Sequence, residues 1–239
     1  YTADGTNDEV EIQAAIDAAY AAGGGTVYLL DGTFTINDSV NANRGIVMAS
    51  STRLIGQGSS TVLKLVSGAN KNFNIVDVNS AVDVVIAHLS IDGNKAAQGA
   101  QLYMGIRILD SYRITIDHVS VANVVTNGIE ADNGTSQYIT ISNSWIRDNN
   151  GIGIVIDDVL DVRVDNNFVV SKGNYGIYGG GDWLENPIIT GNYVLNNGDI
   201  GIYTRDAVEG NISDNQVRGN ASHGIRVNNA DDTVVSNNY

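Results

Sequence analysis

The chain has 239 residues, of which 43% are hydrophobic and 17% charged, a balance that argues against intrinsic disorder and against a coiled coil. Its net charge is −14 and it has no Lys/Arg cluster, which argues against nucleic acid as a partner. No apolar run is long enough to span a membrane, and the absence of Cys excludes disulfides and thiolate chemistry.

The N-terminal segment predicts a short helix that caps whatever follows. Thr6 and Glu9 have the spacing of a capping box, and the next residues carry a partly apolar helical face. Three glycines, Gly23 to Gly25, end this pattern, so the helical cap is expected at about residues 7–22. A strand over 26–30 and an Asp-Gly turn follow it.

The rest of the chain is built from repeats of about 24 residues. A Gly-Ile pair followed by alternating residues begins at six positions: Gly105, Gly128, Gly153, Gly176, Gly201 and Gly224. Each copy contains short Val/Ile/Thr-rich runs between turn residues, with no helical period, so it cannot form a βαβ crossover. One copy can form one coil of a parallel β-helix. We therefore predict an all-β parallel β-helix of about ten coils.

Asparagine dominates the turns of these copies. Of 29 Asn, 20 lie after residue 119, and five follow the Gly-Ile pairs at similar spacing: Asn143, Asn166, Asn192, Asn215 and Asn237. Asn tolerates left-handed turns and can hydrogen-bond to the next Asn in a stack, so we expect an Asn ladder. His88 and His118 fall at the same place in earlier copies, and we expect them to be ladder residues rather than catalysts.

This organisation predicts one β-helix domain over residues 1–239, with regular coils over about 80–239. The last repeat stops in the middle of a coil at Tyr239. An open coil has unpaired strand edges, so a further segment, another domain or an oligomeric partner is expected to cover it.

The segment from Ile12 to Leu29 resembles the N-terminal cap of the pectate-lyase-like right-handed β-helix superfamily. Within that group, the chain looks closest to the catalytic module of secreted bacterial mannuronan C5-epimerases. Leu89-Ser-Ile-Asp-Gly-Asn94 is similar to the family's strand-ending Asp-Gly-Asn, and the Asn-rich coils match in style. The resemblance implies a secreted, extracellular or cell-surface protein that acts on a uronate-containing polysaccharide. The fold itself hosts lyases, epimerases, hydrolases and inert spikes.

The family's catalytic segment, Tyr-Gly-Phe-Asp-Pro-His, is only partly retained. The matching residues run from Asn127 to Asp132, so that Glu130 replaces the Asp, Asp132 replaces the His and Asn127 replaces the Tyr. The family's second Asp matches Asp157. Two carboxylate positions therefore survive while both proton-transfer groups differ, which argues against copying the epimerase mechanism onto this chain.

The period-two rule predicts which residues of the Gly-Ile strands face outward. The second position after Gly gives one outward column: Arg107, Glu130, Val155, Tyr178, Tyr203 and Arg226. The fourth position gives a second column: Leu109, Asp132, Asp157, Gly180, Arg205 and Asn228. Because stacked coils lie about 4.8 Å apart, we expect one acidic and aromatic surface patch over four coils.

Carboxylates, Arg, Tyr hydroxyls and a nearby Trp suit a sugar-binding groove. Adjacent carboxylates raise one pKa, which makes an acid and a base from two identical groups. The candidate catalytic residues are Asp132, Asp157, Glu130, Tyr178 and Tyr203. The candidate substrate-binding residues are Arg205, Arg107, Arg226, Asp158, Trp183 and Lys172. Ca²⁺ is the candidate cofactor, because it prefers oxygen ligands, with Asp157 and Asp158 as its ligands.

Three functional interpretations remain open. The favoured one is a polyuronate lyase or C5-epimerase-like enzyme that uses the outward carboxylates. The first alternative is a non-catalytic β-helix, such as a spike, an adhesin or a surface module. The second alternative is a glycoside hydrolase with Asp132 and Asp157 as its carboxylate pair.

Overall fold

The computed structural model describes residues 2–69, 72–99, 103–132, 135–171 and 173–239. The chain winds into a parallel β-helix with three sheets, named A, B and C, and every strand pairing between successive coils is parallel in the described residues. Two sheets have eight strands each, so the helix has about eight turns rather than ten. The difference arises early in the chain, where one coil takes 30 residues, as between the paired Asp77 and Arg107.

The three sheets run along the length of the helix. Sheet A contains Gly25–Tyr28, Thr52–Ile55, Val82–Ala87, Tyr112–Asp117, Ser136–Ser142, Val159–Asp165, Leu184–Glu185, Ile188–Thr190, Ala207–Val208, Asn211–Ser213 and Val234–Ser236. Sheet B contains Gly32–Ile36, Thr61–Leu65, Ser90–Asp92, Ser120–Ala122, Trp145–Arg147, Phe168–Val170, Tyr193–Leu195 and Gln216–Arg218. Sheet C contains Arg44–Met48, Phe73–Asn79, Tyr103–Leu109, Ile129–Asp132, Ile154–Asp157, Ile177–Gly180, Ile202–Arg205 and Ile225–Asn228. A 3₁₀ turn spans Lys95–Ala97.

The predicted helical cap is present as the helix Glu9–Ala21, but the expected capping box is wrong. Asp8, not Thr6, occupies the N-cap position and makes no side-chain cap hydrogen bond to the helix. Its carboxylate instead accepts from the backbone N–H groups of Gly5 and Thr35. Glu9 is fully buried and accepts from the backbone N–H of Asn37 and Ser39. The two carboxylates therefore fasten the helix to the first coil.

The core is a set of aliphatic columns that run along the inside of the three sheets. In sheet C, Ile106, Ile129 and Ile154 are paired coil to coil and fully buried, and the column continues into Ile177 and Ile202. In-register parallel pairing places identical β-branched side chains directly above one another. Burial of each such side chain contributes about 1.5 to 3 kcal/mol of favourable free energy, which makes these columns the main stabilising feature.

The Asn residues stack, but the five predicted ladder members belong to two different columns. Asn192 and Asn215 lie in a column with Asn167 and Asn238 that is buried up to the partly buried Asn238. The side-chain amides of Asn167, Asn192 and Asn215 each donate to the Oδ1 of the Asn on the next coil. Asn197, which is buried, and Asn220, which is partly buried, repeat the arrangement in another turn. The predicted ladder passes into the column of Asn192 and Asn215 at the 26-residue step from Asn166 to Asn192 and leaves it again at the 22-residue step from Asn215 to Asn237.

The other three predicted members lie in a turn column that joins sheets A and B. Its residues have positive φ, the left-handed conformation that Asn and Gly tolerate: His88, His118, Asn143, Asn166, Gly191, Asp214 and Asn237. His88 and His118 are therefore turn-column residues as expected. Their position follows from the backbone conformation that the sharp turn requires.

No helix in the described residues combines the length and apolarity that crossing a bilayer would require. In the last coil, Val227, Val234 and Val235 are exposed. The expectation that another segment or a partner covers this coil stays a prediction.

Candidate functional site

The outer surface of sheet C carries the residues singled out from the sequence. The strand register places Glu130 between Arg107 and Val155, and Tyr178 between Val155 and Tyr203. Arg226 follows Tyr203 on the next coil. In the neighbouring column, Asp157 pairs with Gly180 and Arg205 with Asn228. We call this surface the sheet C face: Arg107, Glu130, Asp132, Asp157, Tyr178, Gly180, Tyr203, Arg205 and Arg226.

Asp157 is the most perturbed acid of the sheet C face. It is half-buried, and its Oδ1 is buried without a hydrogen-bond partner among the described residues. Burial raises the pKa of Asp157 to about 6, the negative charges of Asp158 and Asp132 add to this effect, and Arg205 opposes it. A carboxylate with a pKa near the working pH can both take up and release a proton, which is the property required of a general acid or base.

Gly180 lets Tyr178 and Asp157 meet at one point. A Cβ at Gly180 would overlap the Tyr178 hydroxyl and would lie 3.2 Å from Asp157 Oδ1. The phenol and the carboxylate therefore share the space that a side chain would otherwise fill. Burial raises the pKa of Tyr178, and the charge of Asp157 raises it further. Tyr178 is thus held as a neutral phenol, which suits a proton donor rather than a base.

Three tyrosines form an aromatic cluster beside this point. The ring of Tyr175 stacks on Tyr178 with centroids 5.8 Å apart and meets Tyr203 edge-on at 5.4 Å. The guanidinium of Arg226 lies 5.2 Å from the centre of the Tyr203 ring. Tyr175 was not among the residues selected from the sequence. Its position just before Gly176 is the signal that could have found it.

Glu130 lies one coil before Asp157 and is oriented by Asn127. The amide of Asn127 donates to Glu130 Oε2, while Asn127 Oδ1 accepts from the backbone N–H of Ile152. Burial raises the pKa of Glu130, although the Asn127 hydrogen bond and Arg107 oppose the rise. Arg107 Nε is buried without a hydrogen-bond partner among the described residues. Asn127 therefore acts by fixing a carboxylate.

Asp77 extends the same column toward the N-terminus and was not found from the sequence. It pairs with Arg107 in the strand register, is only 1% exposed, and forms a 3.3 Å ion pair with Arg44. Asn74 also donates to its carboxylate at 2.8 Å. Because both of its carboxylate oxygens already have partners, we assign Asp77 a structural role in the sheet C face.

The loop after Ile177–Gly180 carries Trp183, which is 61% exposed and free to stack on a sugar ring. Asp158 shapes this loop, since it has a positive φ and its Oδ1 accepts from the backbone N–H of Trp183 at 3.0 Å. Arg205 projects from the next coil and pairs with Asp206 at 3.4 Å. Lys172 lies outside the described residues.

The donor set around Asp157 has the chemistry that Ca²⁺ prefers. Asp157 offers an unpartnered oxygen, and Asp132 and Glu130 contribute to the same negative field. Asp158 fits less well, because one of its oxygens already holds Trp183. Among the described residues, the His, Cys, Asp and Glu side chains placed closely enough to share an ion form a different group, His88, Asp117 and His118.

The sheet C face is an open surface, whereas a concave space of about 610 Å³ lies at the N-terminal end, between the helix and the first coil. Its lining is mainly apolar and includes Ile12, Val27 and Phe34, with Glu11 as an acidic member. We place the candidate site on the sheet C face, because Asp157 and Tyr178 approach the same space there and cations and aromatic rings surround them. An open face suits a polymer that lies along the solenoid.

The chain matches the protein family described as right handed beta helix region over residues 20–184 and again over 165–239. Alginate lyase 7 of Azotobacter vinelandii is 31% identical over 187 residues, which cover 72% of this chain and 22% of that protein. Mannuronan C5-epimerase AlgE4 of the same organism is 30% identical over 184 residues, 72% of this chain and 33% of that protein. The chain thus spans about a fifth to a third of the length of these relatives.

Solved structures give the same result for the fold. The A-module of the A. vinelandii epimerase AlgE4 superposes with a TM-score of 0.79 and 25% identity, covering 99% of this chain and 74% of that one. A tailspike domain of bacteriophage CBA120 superposes with a TM-score of 0.66 and 15% identity, covering 97% of this chain and 40% of that one. These matches confirm the resemblance drawn from the cap and coil motifs: the chain belongs to the right-handed β-helix family.

Proposed function

We propose that the chain is the catalytic β-helix of a secreted enzyme that acts on a uronate-containing polysaccharide, as a lyase or a C5-epimerase. The observation that carries the proposal is Asp157, a half-buried carboxylate with an unpartnered oxygen and a pKa of about 6, placed beside the Tyr178 hydroxyl. The names of the alginate lyase and epimerase relatives support the substrate class.

The chemistry common to both reactions is removal of the proton at C5 of a uronate residue. Asp157 takes this proton, and the electron pair moves into the sugar carboxyl group. In a lyase, the pair then forms the C4–C5 double bond while the C4–O4 bond breaks and O4 takes a proton from Tyr178. In an epimerase, a proton returns to C5 from the opposite side of the ring.

Elimination fits the arrangement better than inversion. The Asp157 carboxylate and the Tyr178 hydroxyl both lie around the space above Gly180, so a sugar bound against the sheet C face would meet both groups on the same side. A base and an acid on one side can carry out elimination, whereas inversion needs the proton donor on the other side. We therefore favour the lyase reaction.

The cationic and aromatic side chains around Asp157 and Tyr178 bind the substrate. The positive charge of Arg205 neutralises the sugar carboxylate and lowers the cost of the charge that develops there. The nearby phenols raise the pKa of Arg205, so it stays protonated throughout. Tyr203, Trp183, Arg107 and Arg226 line the path on either side. Ca²⁺ bound through Asp157 and neighbouring oxygens would supply further charge neutralisation when present.

The test is time-resolved proton NMR of the protein with polymannuronate, polyguluronate and polygalacturonate, with and without Ca²⁺. The spectra distinguish unsaturated ends, inverted C5 centres and new reducing ends. We expect unsaturated ends with at least one polymer, and a rate about a hundredfold or more lower for Asp157→Asn. We expect the rate of the Tyr178→Phe variant to be lower by a similar factor. Asp232→Asn removes the same charge from an exposed, positive-φ position elsewhere and should leave the rate unchanged.

The other outcomes discriminate the alternatives. New reducing ends without unsaturation would indicate a hydrolase with the Asp132 and Asp157 pair, and would overturn the proposal. No change on any polymer, combined with measurable binding, would indicate a non-catalytic β-helix. Activity that survives Asp157→Asn would remove Asp157 from the mechanism.

A further inference from the structure

The turn between sheets A and B holds a second group of chemically active side chains. His88 follows the strand Val82–Ala87 and His118 follows Tyr112–Asp117, one coil later. Parallel stacking brings their rings to a centroid separation of 5.0 Å with planes tilted by 31°. Both rings are exposed, and this turn lies away from sheet C. The group is therefore separate from the sheet C face.

Asp117 fixes the orientation of His118. Its Oδ2 lies 2.7 Å from Nδ1 of His118, and its Oδ1 accepts from Ser142 and Asn143 at 2.8 Å each. With Oδ1 accepting two hydrogen bonds and Oδ2 facing the ring nitrogen, the Asp117 carboxylate is the acceptor in the pair with His118. Nδ1 of His118 must then carry its proton. The lone pair of a neutral His118 ring is left on Nε2, which is free to bind a cation.

The turn itself does not require histidine. The same column continues with Asn143, Asn166, Gly191, Asp214 and Asn237, all with positive φ. Asn is thus sufficient for the backbone conformation. Two adjacent His at this column, beside a carboxylate that orients one of them, form the arrangement seen around protein-bound metal ions, where a carboxylate holds the second nitrogen of a liganding His.

We propose that His88 and His118 bind a borderline divalent cation such as Zn²⁺, with Asp117 as the carboxylate that orients His118. The three side chains each offer a ligand atom within 4.8 Å of the others. A tetrahedral zinc ion holds its ligand atoms about 3.4 Å apart, so the exposed rings need to move by about an ångström. Water completes the coordination. Imidazole nitrogen selects this site against Ca²⁺.

The experiment follows the histidines directly, because the chain has three of them. Untagged, uniformly ¹⁵N-labelled protein is titrated with ZnCl₂ at pH 7.5, and the imidazole nitrogens are recorded in a long-range ¹H–¹⁵N spectrum. We expect saturable shifts at His88 and His118 at one equivalent of zinc. His223, which is exposed and contacts Ser222, is the internal control and should not move. Equimolar Ca²⁺ should not compete.

His88→Asn and His118→Asn are matched variants, because Asn occupies the same column in later coils and keeps the turn. Each should retain the wild-type melting temperature without metal and bind zinc about tenfold or more weakly, since loss of a ligand costs at least as much as loss of its orienting partner. His223→Asn should bind zinc as the wild type does.

Equal shifts at all three histidines, no saturation, or unchanged zinc binding in either matched variant would overturn the proposal. None of these three results depends on polysaccharide activity. The proposed zinc site and the proposed enzyme function can therefore fail separately.

Discussion

The buried Asn column and the sheet C face are built on the same coil spacing but differ in content. In the Asn column, Asn167, Asn192, Asn215 and Asn238 repeat one residue, and each amide donates to the next coil while each Oδ1 accepts from the one before. The backbone N–H of the same residues is satisfied by the same oxygens. Repetition is what makes every buried polar group find a partner.

The sheet C face has no such repetition. Its second-position column changes residue type at almost every coil. The face as a whole leaves two buried atoms, Asp157 Oδ1 and Arg107 Nε, without hydrogen-bond partners among the described residues. Burial raises the pKa of Asp157, and the neighbouring acids raise it further. Within one solenoid, the columns that repeat a residue stabilise the fold. The columns that vary contain the polar groups without hydrogen-bond partners, which are the candidates for catalysis.

The largest change in the free energy of unfolding is expected for a substitution at Asn192, in the buried Asn column. Asn192→Ala removes the oxygen that accepts from the backbone and side-chain amides of Asn167, and leaves the carbonyl of Val164 without its partner. Several buried groups lose hydrogen bonds at once, so we expect a loss of about 3 to 4 kcal/mol in the free energy of unfolding, measured by urea denaturation. Asn166→Gly, in the exposed turn column where Gly191 already stands on the next coil, should change it by less than about 1 kcal/mol. Similar losses for both variants would contradict the distinction.

A smaller effect of opposite sign is expected at Asp157. Because its pKa in the folded chain is about 6, against an ordinary value of 3.8, ionised Asp157 destabilises the fold above pH 6. Asp157→Asn should therefore raise the free energy of unfolding at pH 7.5, by about 1 to 2 kcal/mol after allowing for solvent screening of a half-exposed group.

That advantage should shrink as the pH falls through 6 and disappear below the ordinary value of 3.8, where the native side chain is protonated in both states. Urea denaturation at pH 7.5, 5.5 and 3.5 measures it, with Asp232→Asn as the control for general charge. An Asp157→Asn variant that is less stable at pH 7.5 would show that the carboxylate is satisfied after all.

The smallest effect on stability is expected at Gly180. Gly180→Ala introduces a Cβ that must displace the Tyr178 hydroxyl, and the far end of that side chain can move at little cost. We expect less than about 1 kcal/mol of destabilisation, together with a drop in the phenol pKa toward its ordinary value, because the ring leaves both burial and the Asp157 charge. Ultraviolet titration of the tyrosinates measures this, with Tyr178→Phe as the assignment control. An unchanged titration would mean that Gly180 does not position Tyr178.

Much of this architecture could be predicted because the repeat is visible in the chain. The Gly-Ile spacing fixed the inward and outward positions of sheet C, and the register pairs the whole second-position column as expected. In the fourth-position column it pairs Leu109 with Asp132, Asp157 with Gly180 and Arg205 with Asn228. The Asn ladder was predicted less well. A turn contains Asn both at its positive-φ corner and at the buried position after it, and adjacent Asn such as Asn166 and Asn167 look alike in sequence. Spacing alone cannot separate a residue required by the backbone from one required by burial.

The sequence by itself determined the coil, the helical cap and which side chains face out, because these depend on local periodicity and on turn chemistry. The tertiary structure decided the rest: that Asp157 is half-buried, that Gly180 makes room for Tyr178, that Tyr175 joins the aromatic cluster, and that His88 and His118 meet beside Asp117. The physical reason is that pKa values and side-chain approach depend on desolvation and on charges from other coils, about 23 to 30 residues away along the chain, which no local pattern records.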